Sequence, residues 1–240
     1  MISMNQKCLG TMMKYISENF KNIQTFIFDL DYVLFNEDLY YFAVFEKVSD
    51  FLGLDSRSLN LMKKTYKKNK LISKDILGDI LKSLNLYTPQ LQEKFYEFYK
   101  NTYVPLSLYK DAKETLSILR KKNHKLGIIT NGTLEAQKNK IKCLGIERFF
   151  DEILYAREFG KRYEKPHVKP FIEICKRLKI KPYQSVYIGD NPVIDFIGAK
   201  KVGFVTIRVL RGAYKEFKSK IYVDYEINNL YELLGAKYNA

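Results

Sequence analysis

Five reactive side chains stand at or just after the ends of short, uniformly apolar runs in this sequence. Two carboxylates, Asp29 and Asp31, follow the first run, and a hydroxyl, Thr130, ends the second. A later run ends at Asp190, and Asp195 lies five residues further on. Such runs are typical of strands buried on both faces of a parallel sheet, where ligands bind at the carboxyl ends of the strands. We therefore expect these side chains to converge at one edge of a sheet.

The chemistry that these residue types allow is that of a hard cation and a phosphoryl group. Converging carboxylates repel one another unless a cation neutralises them, and oxygen ligands without His or Cys select an ion such as Mg²⁺. Lys165, in a Lys-Pro step before a predicted helix, adds an ammonium group. The metal, this ammonium, the Thr130 hydroxyl and backbone N–H groups would together cradle a phosphoryl group. The role left for a free carboxylate is that of a nucleophile, which forms an aspartyl-phosphate.

The composition limits the class of protein that could carry such a site. The chain has 240 residues, of which 46% are hydrophobic, so it suits one mid-sized domain with a smaller insertion and is no disordered chain. Forty-one basic and 27 acidic residues give a net charge of +14, which favours anionic partners without choosing among nucleic acid, an acidic membrane surface and small phosphorylated compounds. Three separated cysteines and two histidines disfavour disulfides and structural zinc, and they make the reducing cytoplasm the default location. No apolar stretch is long enough for a membrane helix.

The order of the predicted elements indicates an α/β fold. Apolar runs predict four strands, over 24–29, 126–130, 185–190 and 204–207. Helical patterns lie near 111–122, 133–144, 168–179 and 193–202. Because strand and helix alternate with short polar joins, we predict a Rossmann-like parallel sheet with helices on both faces.

One segment breaks this alternation and predicts a second domain. Between the first two strands the pattern is helical, near 38–52, 57–69, 74–84 and 89–102. We therefore predict a small all-helical cap domain at 37–104, over the strand ends, and a Rossmann-like catalytic core formed by 1–36 and 105–240. The residues before the first strand predict a short amphipathic helix that ends near Asn22.

Four motifs in this chain resemble those of the haloacid dehalogenase superfamily. Asp29-Leu-Asp-Tyr-Val-Leu34 looks like the first motif, D-x-D-x-[TV]-[LV], and Thr130-Asn-Gly132 resembles the second. Lys165-Pro-His-Val-Lys-Pro-Phe171 is similar to the third, K-P-x-P-x-x-F, with Val168 where a Pro is usual. Gly189-Asp-Asn-Pro-Val-Ile-Asp195 resembles the fourth, G-D-x-x-x-x-D. All four occur in order within about residues 23–212, each on the kind of element where the family places it.

The resemblance implies catalytic roles for these residues. Asp29 would attack phosphorus as the nucleophile. Asp31 would protonate the leaving oxygen and then take a proton from the water that hydrolyses the acyl-phosphate. The phosphoryl group would be bound by Lys165 and by the second motif, that is Thr130, Asn131 and Gly132.

The resemblance also implies a metal site for Mg²⁺. The ion would be held by the Asp29 carboxylate, the Asp31 backbone carbonyl and Asp190. Asp195 would support the site through water or through Lys165. The predicted function is a Mg²⁺-dependent phosphatase of the cytoplasm that hydrolyses a small phosphate monoester.

Other functions stay open at this point. On the same fold, Asp31 argues against a dehalogenase, whereas a phosphonate hydrolase and a phosphomutase are not excluded. The +14 charge would also suit a nucleic-acid-binding or scaffold protein on a retired hydrolase fold. The intact reactive residues oppose this, because binding alone needs no nucleophile, so a nucleic-acid partner is disfavoured. His167 is expected to be an exposed loop imidazole rather than a catalytic base.

Overall fold

A six-stranded parallel sheet is found in the part of the chain that the computed structural model describes, residues 22–218 and 221–235. The strands are β1 (Thr25–Phe28), β2 (Lys125–Thr130), β3 (Glu152–Tyr155), β4 (Ser185–Gly189), β5 (Val205–Val209) and β6 (Tyr225–Ile227). Their order is β3-β2-β1-β4-β5-β6, and each neighbouring pair is parallel. This confirms the predicted fold class. The predicted N-terminal helix lies outside the described residues up to its last residue, Asn22.

Two of these strands, β3 and β6, were not predicted. They are the two edges of the sheet, and several of their residues are only half-buried. An edge strand that is partly exposed lacks the uniform apolar run by which the other four were found. The four predicted strands all form, within about two residues of their expected bounds.

The described residues also form eight α-helices. They are α1 (Glu37–Leu52), α2 (Ser56–Asn69), α3 (Ile76–Ser83), α4 (Pro89–Asn101), α5 (Lys110–Lys121), α6 (Leu134–Leu144), α7 (Lys169–Leu178) and α8 (Phe196–Val202). Side chains that cap helix N-termini precede three of these helices. Asp55 and Asp75 accept hydrogen bonds from backbone N–H groups at the starts of α2 and α3, and Thr88 does the same for α4. Among the described residues, no helix has both the length and the apolar character needed to cross a bilayer.

The core unit comprises the sheet, α5, α7 and α8, and it spans the described residues up to Asn36, Ser107–Gly132 and those from Ile146 onward. Ile27, Ile129 and Tyr187 on one face of the sheet pack with Phe171 of α7 and Phe196 of α8. The strand residues that alternate with them are equally buried, and α5 packs against β2. Both faces of the sheet are therefore covered.

The helical unit comprises Glu37–Leu106 together with Thr133–Gly145. It therefore contains α1 to α4, which the sequence predicts as a cap, and also α6, which the sequence predicts as an ordinary crossover helix. Within this unit the buried Lys140 of α6 donates to Glu37 Oε1 at 2.6 Å, and Asn139 Nδ2 donates to the Thr102 carbonyl at 2.7 Å. These polar contacts tie α6 to the helices that surround it.

Candidate active site

Three adjacent strands of the core unit end in predicted site residues. β1 lies between β2 and β4, and Phe28 is paired in register with Ile128 and Ile188. Asp29 follows β1 directly, Thr130 is the last residue of β2, and Asp190 follows β4 directly. All three side chains are buried, so the sheet places them together at its carboxyl edge as the sequence predicts.

Lys165 lies at the centre of the buried cluster and is only 4% exposed. Its Nζ donates to Asp29 Oδ1 at 2.7 Å, to Asp195 Oδ1 at 2.7 Å and to the Tyr187 hydroxyl at 2.9 Å. An ammonium group has three N–H donors, so these three acceptors use all of them. The ammonium is thereby fixed between two carboxylates that are far apart in sequence.

Three buried carboxylates surround this single ammonium. One oxygen from each of Asp29, Asp190 and Asp195 lies within 4.8 Å of the others. Among the described residues, Asp190 Oδ2 has no hydrogen-bond partner although it is buried. A buried carboxylate oxygen without a donor is strongly destabilising unless a cation contacts it. The donor set, oxygen only and with excess negative charge, therefore fits a hard divalent cation.

The ionisation of these groups reflects burial and crowding. Burial raises the pKa of Asp29 to about 7, because the Lys165 ammonium offsets only part of the burial and of the repulsion from Asp195 and Asp31. Burial and the charges of Asp195, Asp29 and Asp31 hold the pKa of Asp190 well above its usual range, although Lys165 acts in the opposite direction. Burial lowers the pKa of Lys165, but Asp195 and Asp29 outweigh it and leave this pKa raised. A bound cation would favour the ionised carboxylates.

The turn after Asp29 carries the second aspartate of the first motif. Asp31 is half-buried, and its charge raises the pKa of both Asp29 and Asp190, so it lies near them. The next residue, Tyr32, has a φ of 56°, which is uncommon for a residue with a side chain. The turn is closed by a 3.0 Å hydrogen bond from the Leu34 N–H to the Leu30 carbonyl.

Two glycines allow close approaches around the site. A Cβ on Gly189 would lie 2.5 Å from Asp195 Oδ2, so only glycine admits the Asp195 carboxylate at this point. Asp195 Oδ2 in turn accepts from the Asn191 N–H at 2.9 Å. A Cβ on Gly198 would lie 2.6 Å from the Pro166 carbonyl, so α8 approaches the loop of Lys165 closely.

The second motif is tied to the loop of Lys165. The Asn131 side chain donates to the Lys165 carbonyl at 3.0 Å and accepts from the Lys165 N–H at 2.9 Å. The Gly132 N–H donates to Glu164 Oε1 at 2.8 Å. Roles of Thr130, Asn131 and Gly132 toward a phosphoryl group stay predictions.

Residues that the sequence analysis missed complete the site. Tyr187 lies on a buried strand, and a buried tyrosine needs a partner for its hydroxyl, which is the signal that could have found it. Glu164 and Arg157 gave no signal beyond their nearness to Lys165. His167 is exposed, and its Nδ1 accepts from the Lys169 N–H at 3.0 Å, in line with an exposed loop imidazole.

Comparison with known proteins shows the family to which the chain belongs. Residues 26–209 match the family model described as haloacid dehalogenase-like hydrolase. The chain is 33% identical over 220 residues to a glyceraldehyde 3-phosphate phosphatase of Methanocaldococcus jannaschii, covering 88% of this chain and 96% of that protein. A solved HAD phosphatase from Thermococcus onnurineus is 28% identical, with a TM-score of 0.58 and coverage of 88% and 96%. The putative HAD-hydrolase YfnB from Bacillus subtilis, at 19% identity over 89% of this chain and 97% of its own, has a TM-score of 0.67 and shares the fold. The chain therefore belongs to the haloacid dehalogenase-like hydrolase family, as its four motifs predict, and it is an enzyme of the phosphatase type.

Proposed function

We propose that this protein is a Mg²⁺-dependent phosphatase that hydrolyses a small phosphate monoester through an aspartyl-phosphate on Asp29. One observation carries the proposal: a buried ammonium, Lys165, bridges Asp29 and Asp195 at 2.7 Å each, beside a buried Asp190 oxygen that accepts no hydrogen bond from the described residues. A binding or scaffold protein has no need of such a cluster, because three buried carboxylates beside one ammonium leave excess buried charge, which destabilises the fold.

We assign the nucleophilic role to Asp29 and the proton transfers to Asp31. Lys165 holds Oδ1 of Asp29, so we assign the attack on phosphorus to Oδ2. The P–O bond to the leaving group breaks as Asp31 donates its proton to that oxygen. Asp31 then takes a proton from water, whose oxygen attacks the phosphorus of the aspartyl-phosphate. Inorganic phosphate leaves, and Asp29 regains its carboxylate.

The carboxylates differ in how well they suit a metal ion. Both oxygens of Asp195 accept hydrogen bonds, from Lys165 and Tyr187 at Oδ1 and from a backbone N–H at Oδ2. Asp190 Oδ2 accepts none from the described residues. We therefore assign Asp29, Asp190 and the Asp31 carbonyl as ligands and Asp195 as the residue that supports them through Lys165. The ion, when bound, would neutralise charge on the phosphoryl oxygens.

The relatives suggest which substrate to test first. The protein from Methanocaldococcus jannaschii that is 33% identical over 96% of its length is named for glyceraldehyde 3-phosphate. A short, polar, three-carbon phosphate is therefore the first candidate. We further propose that the helical unit acts as a cap that selects the leaving group, because the roles assigned to the strand-end residues concern only the phosphorus and the oxygen atoms bonded to it.

Phosphate release from purified protein tests the proposal. The panel contains glyceraldehyde 3-phosphate, phosphoglycolate and para-nitrophenyl phosphate, each with Mg²⁺ and with EDTA. We expect release only with Mg²⁺, and none from Asp29→Asn, because an amide cannot form the acyl-phosphate. The matched control is Asp50→Asn at an exposed position of α1, which should keep full activity. Full turnover by Asp29→Asn, or by parent protein dialysed against EDTA, would contradict the mechanism.

A further inference from the structure

A carboxylate–guanidinium pair lies just outside the reactive cluster of the core unit. Arg157 Nε donates to Glu164 Oε1 at 2.8 Å, and Arg157 Nη2 donates to Glu164 Oε2 at 3.0 Å. The pair is thus bidentate, and the side chains are 28% and 14% exposed. Such a planar fork fixes the carboxylate in orientation as well as in position.

The fixed carboxylate has a third bond, to the second motif. Glu164 Oε1 also accepts from the Gly132 N–H at 2.8 Å. The preceding residue, Asn131, exchanges two hydrogen bonds with the backbone of Lys165, at 3.0 and 2.9 Å. Two consecutive residues of one loop are therefore bonded to two consecutive residues of the other, and Arg157 anchors one of these links.

The two loops must hold a fixed distance if the proposed reaction is to occur. Lys165 is fixed from its other end by Asp29 and Asp195, whereas Thr130 lies at the end of β2, directly before the bonded pair. A displacement of about 1 Å in a group that contacts the reacting atoms can reduce the rate by about a hundredfold. The link from Gly132 to Glu164 is thus placed to set this distance.

We propose that Arg157 and Glu164 are positioning residues that hold the Thr130–Gly132 loop in register with Lys165, an inference that rests on the proposed phosphatase function. Arg157 has a second effect. A phosphate ester is anionic, and a Glu164 carboxylate without its guanidinium would repel it. Loss of Arg157 should therefore harm the site twice, through a looser loop and through uncompensated charge.

Kinetics of single and double variants separate these effects. For Arg157→Ala we expect kcat/KM for para-nitrophenyl phosphate to fall by about tenfold to a hundredfold, with the Mg²⁺ concentration for half-maximal activity unchanged. Adding Glu164→Gln to this variant should restore part of the loss, because the amide oxygen still accepts from the Gly132 N–H and carries no charge. Arg157→Lys should be intermediate, because an ammonium cannot form the planar fork.

The matched control is Arg177→Ala, in the same unit. Arg177 donates to Glu152 at 3.0 Å and to Glu158 at 2.6 Å, and its side chain is 33% exposed, close to that of Arg157. We expect a comparable decrease in Tm and unchanged kinetics. Equal kcat/KM in parent, Arg157→Ala and Arg177→Ala, whatever the change in Tm, would overturn the positioning role.

A binding measurement keeps this inference apart from the proposed function. Calorimetric titration with inorganic phosphate, in Mg²⁺, should show weaker binding to Arg157→Ala than to the parent or to Arg177→Ala. If the parent hydrolyses no ester, the proposed function fails, and the phosphate titration alone still supports or overturns the link between the two loops. Equal phosphate affinity in all three proteins would overturn it.

Discussion

Replacing Asp29 by Asn should stabilise the metal-free protein at pH 8, although it removes the proposed nucleophile. Burial, with the charges of Asp195 and Asp31 and despite that of Lys165, raises the pKa of Asp29 from 3.8 to about 7. Between these values the folded protein binds a proton that the unfolded chain releases. The free energy of unfolding must therefore fall as the pH rises through this interval.

The size of the effect follows from the shift. The pKa rises from 3.8 to about 7, and at 1.36 kcal/mol for each pH unit this corresponds to about 4 kcal/mol at pH 8. Asparagine resembles the protonated carboxyl and does not lose a proton. The variant should therefore match the parent near pH 4 and exceed it by up to about 4 kcal/mol at pH 8.

Urea unfolding in EDTA at several pH values measures this difference. Asp50→Asn, at an exposed position, serves as the control and should follow the parent at every pH. Mg²⁺ at a hundred times its dissociation constant should stabilise the parent by about 3 kcal/mol and the variant by less. The difference in the free energy of unfolding between the two proteins should therefore narrow. An Asp29→Asn variant that is less stable than the parent at pH 8 in EDTA would refute the reasoning.

Three further substitutions test other contacts. Gly189→Ala should reduce kcat and Tm together, because the added Cβ would lie 2.5 Å from Asp195 Oδ2; an unchanged kcat and Tm would contradict this. Lys140→Met should lower the free energy of urea unfolding by about 3–5 kcal/mol, because it removes the buried ammonium that lies 2.6 Å from the Glu37 carboxylate. Adding Glu37→Gln should recover part of the loss. Tyr187→Phe should lower kcat several-fold, because it removes a hydroxyl 2.9 Å from the buried Lys165 ammonium. The same kcat in variant and parent would show that the hydrogen bonds of Lys165 to Asp29 and Asp195 suffice.

The sequence predicted those parts of the fold that leave a local pattern. β1, β2, β4 and β5 are buried on both faces and appear as apolar runs, whereas the edge strand β6 has only three residues and carries Glu226. The sequence indicates the grouping of α6 with the helical unit less clearly than it indicates the buried strands. This helix buries the polar side chains of Gln137 and Lys140, which an ordinary crossover helix would expose.

The candidate site residues that lie at or directly after the end of a strand were visible in the sequence. Asp29, Thr130 and Asp190 are of this kind. The contacts of Glu164 are not, because Gly132 lies 32 residues away in sequence and is brought near only by the tertiary fold. No pattern in the residues around Glu164 indicates that its carboxylate accepts a hydrogen bond from the distant Gly132 N–H.

The membership of α6 in the helical unit bears on how such enzymes can be recombined. The chain passes between the two units four times, after Asn36, Leu106, Gly132 and Gly145. Exchange of residues 37–106 alone with those of a relative would leave Lys140 and Asn139 facing foreign partners. The helical unit is therefore encoded by two separate stretches of the chain and cannot be exchanged as one continuous segment. With the role proposed for this unit in selecting the leaving group, a change of substrate range by recombination would require two separate segments to be inherited together. Point substitutions within the unit face no such constraint.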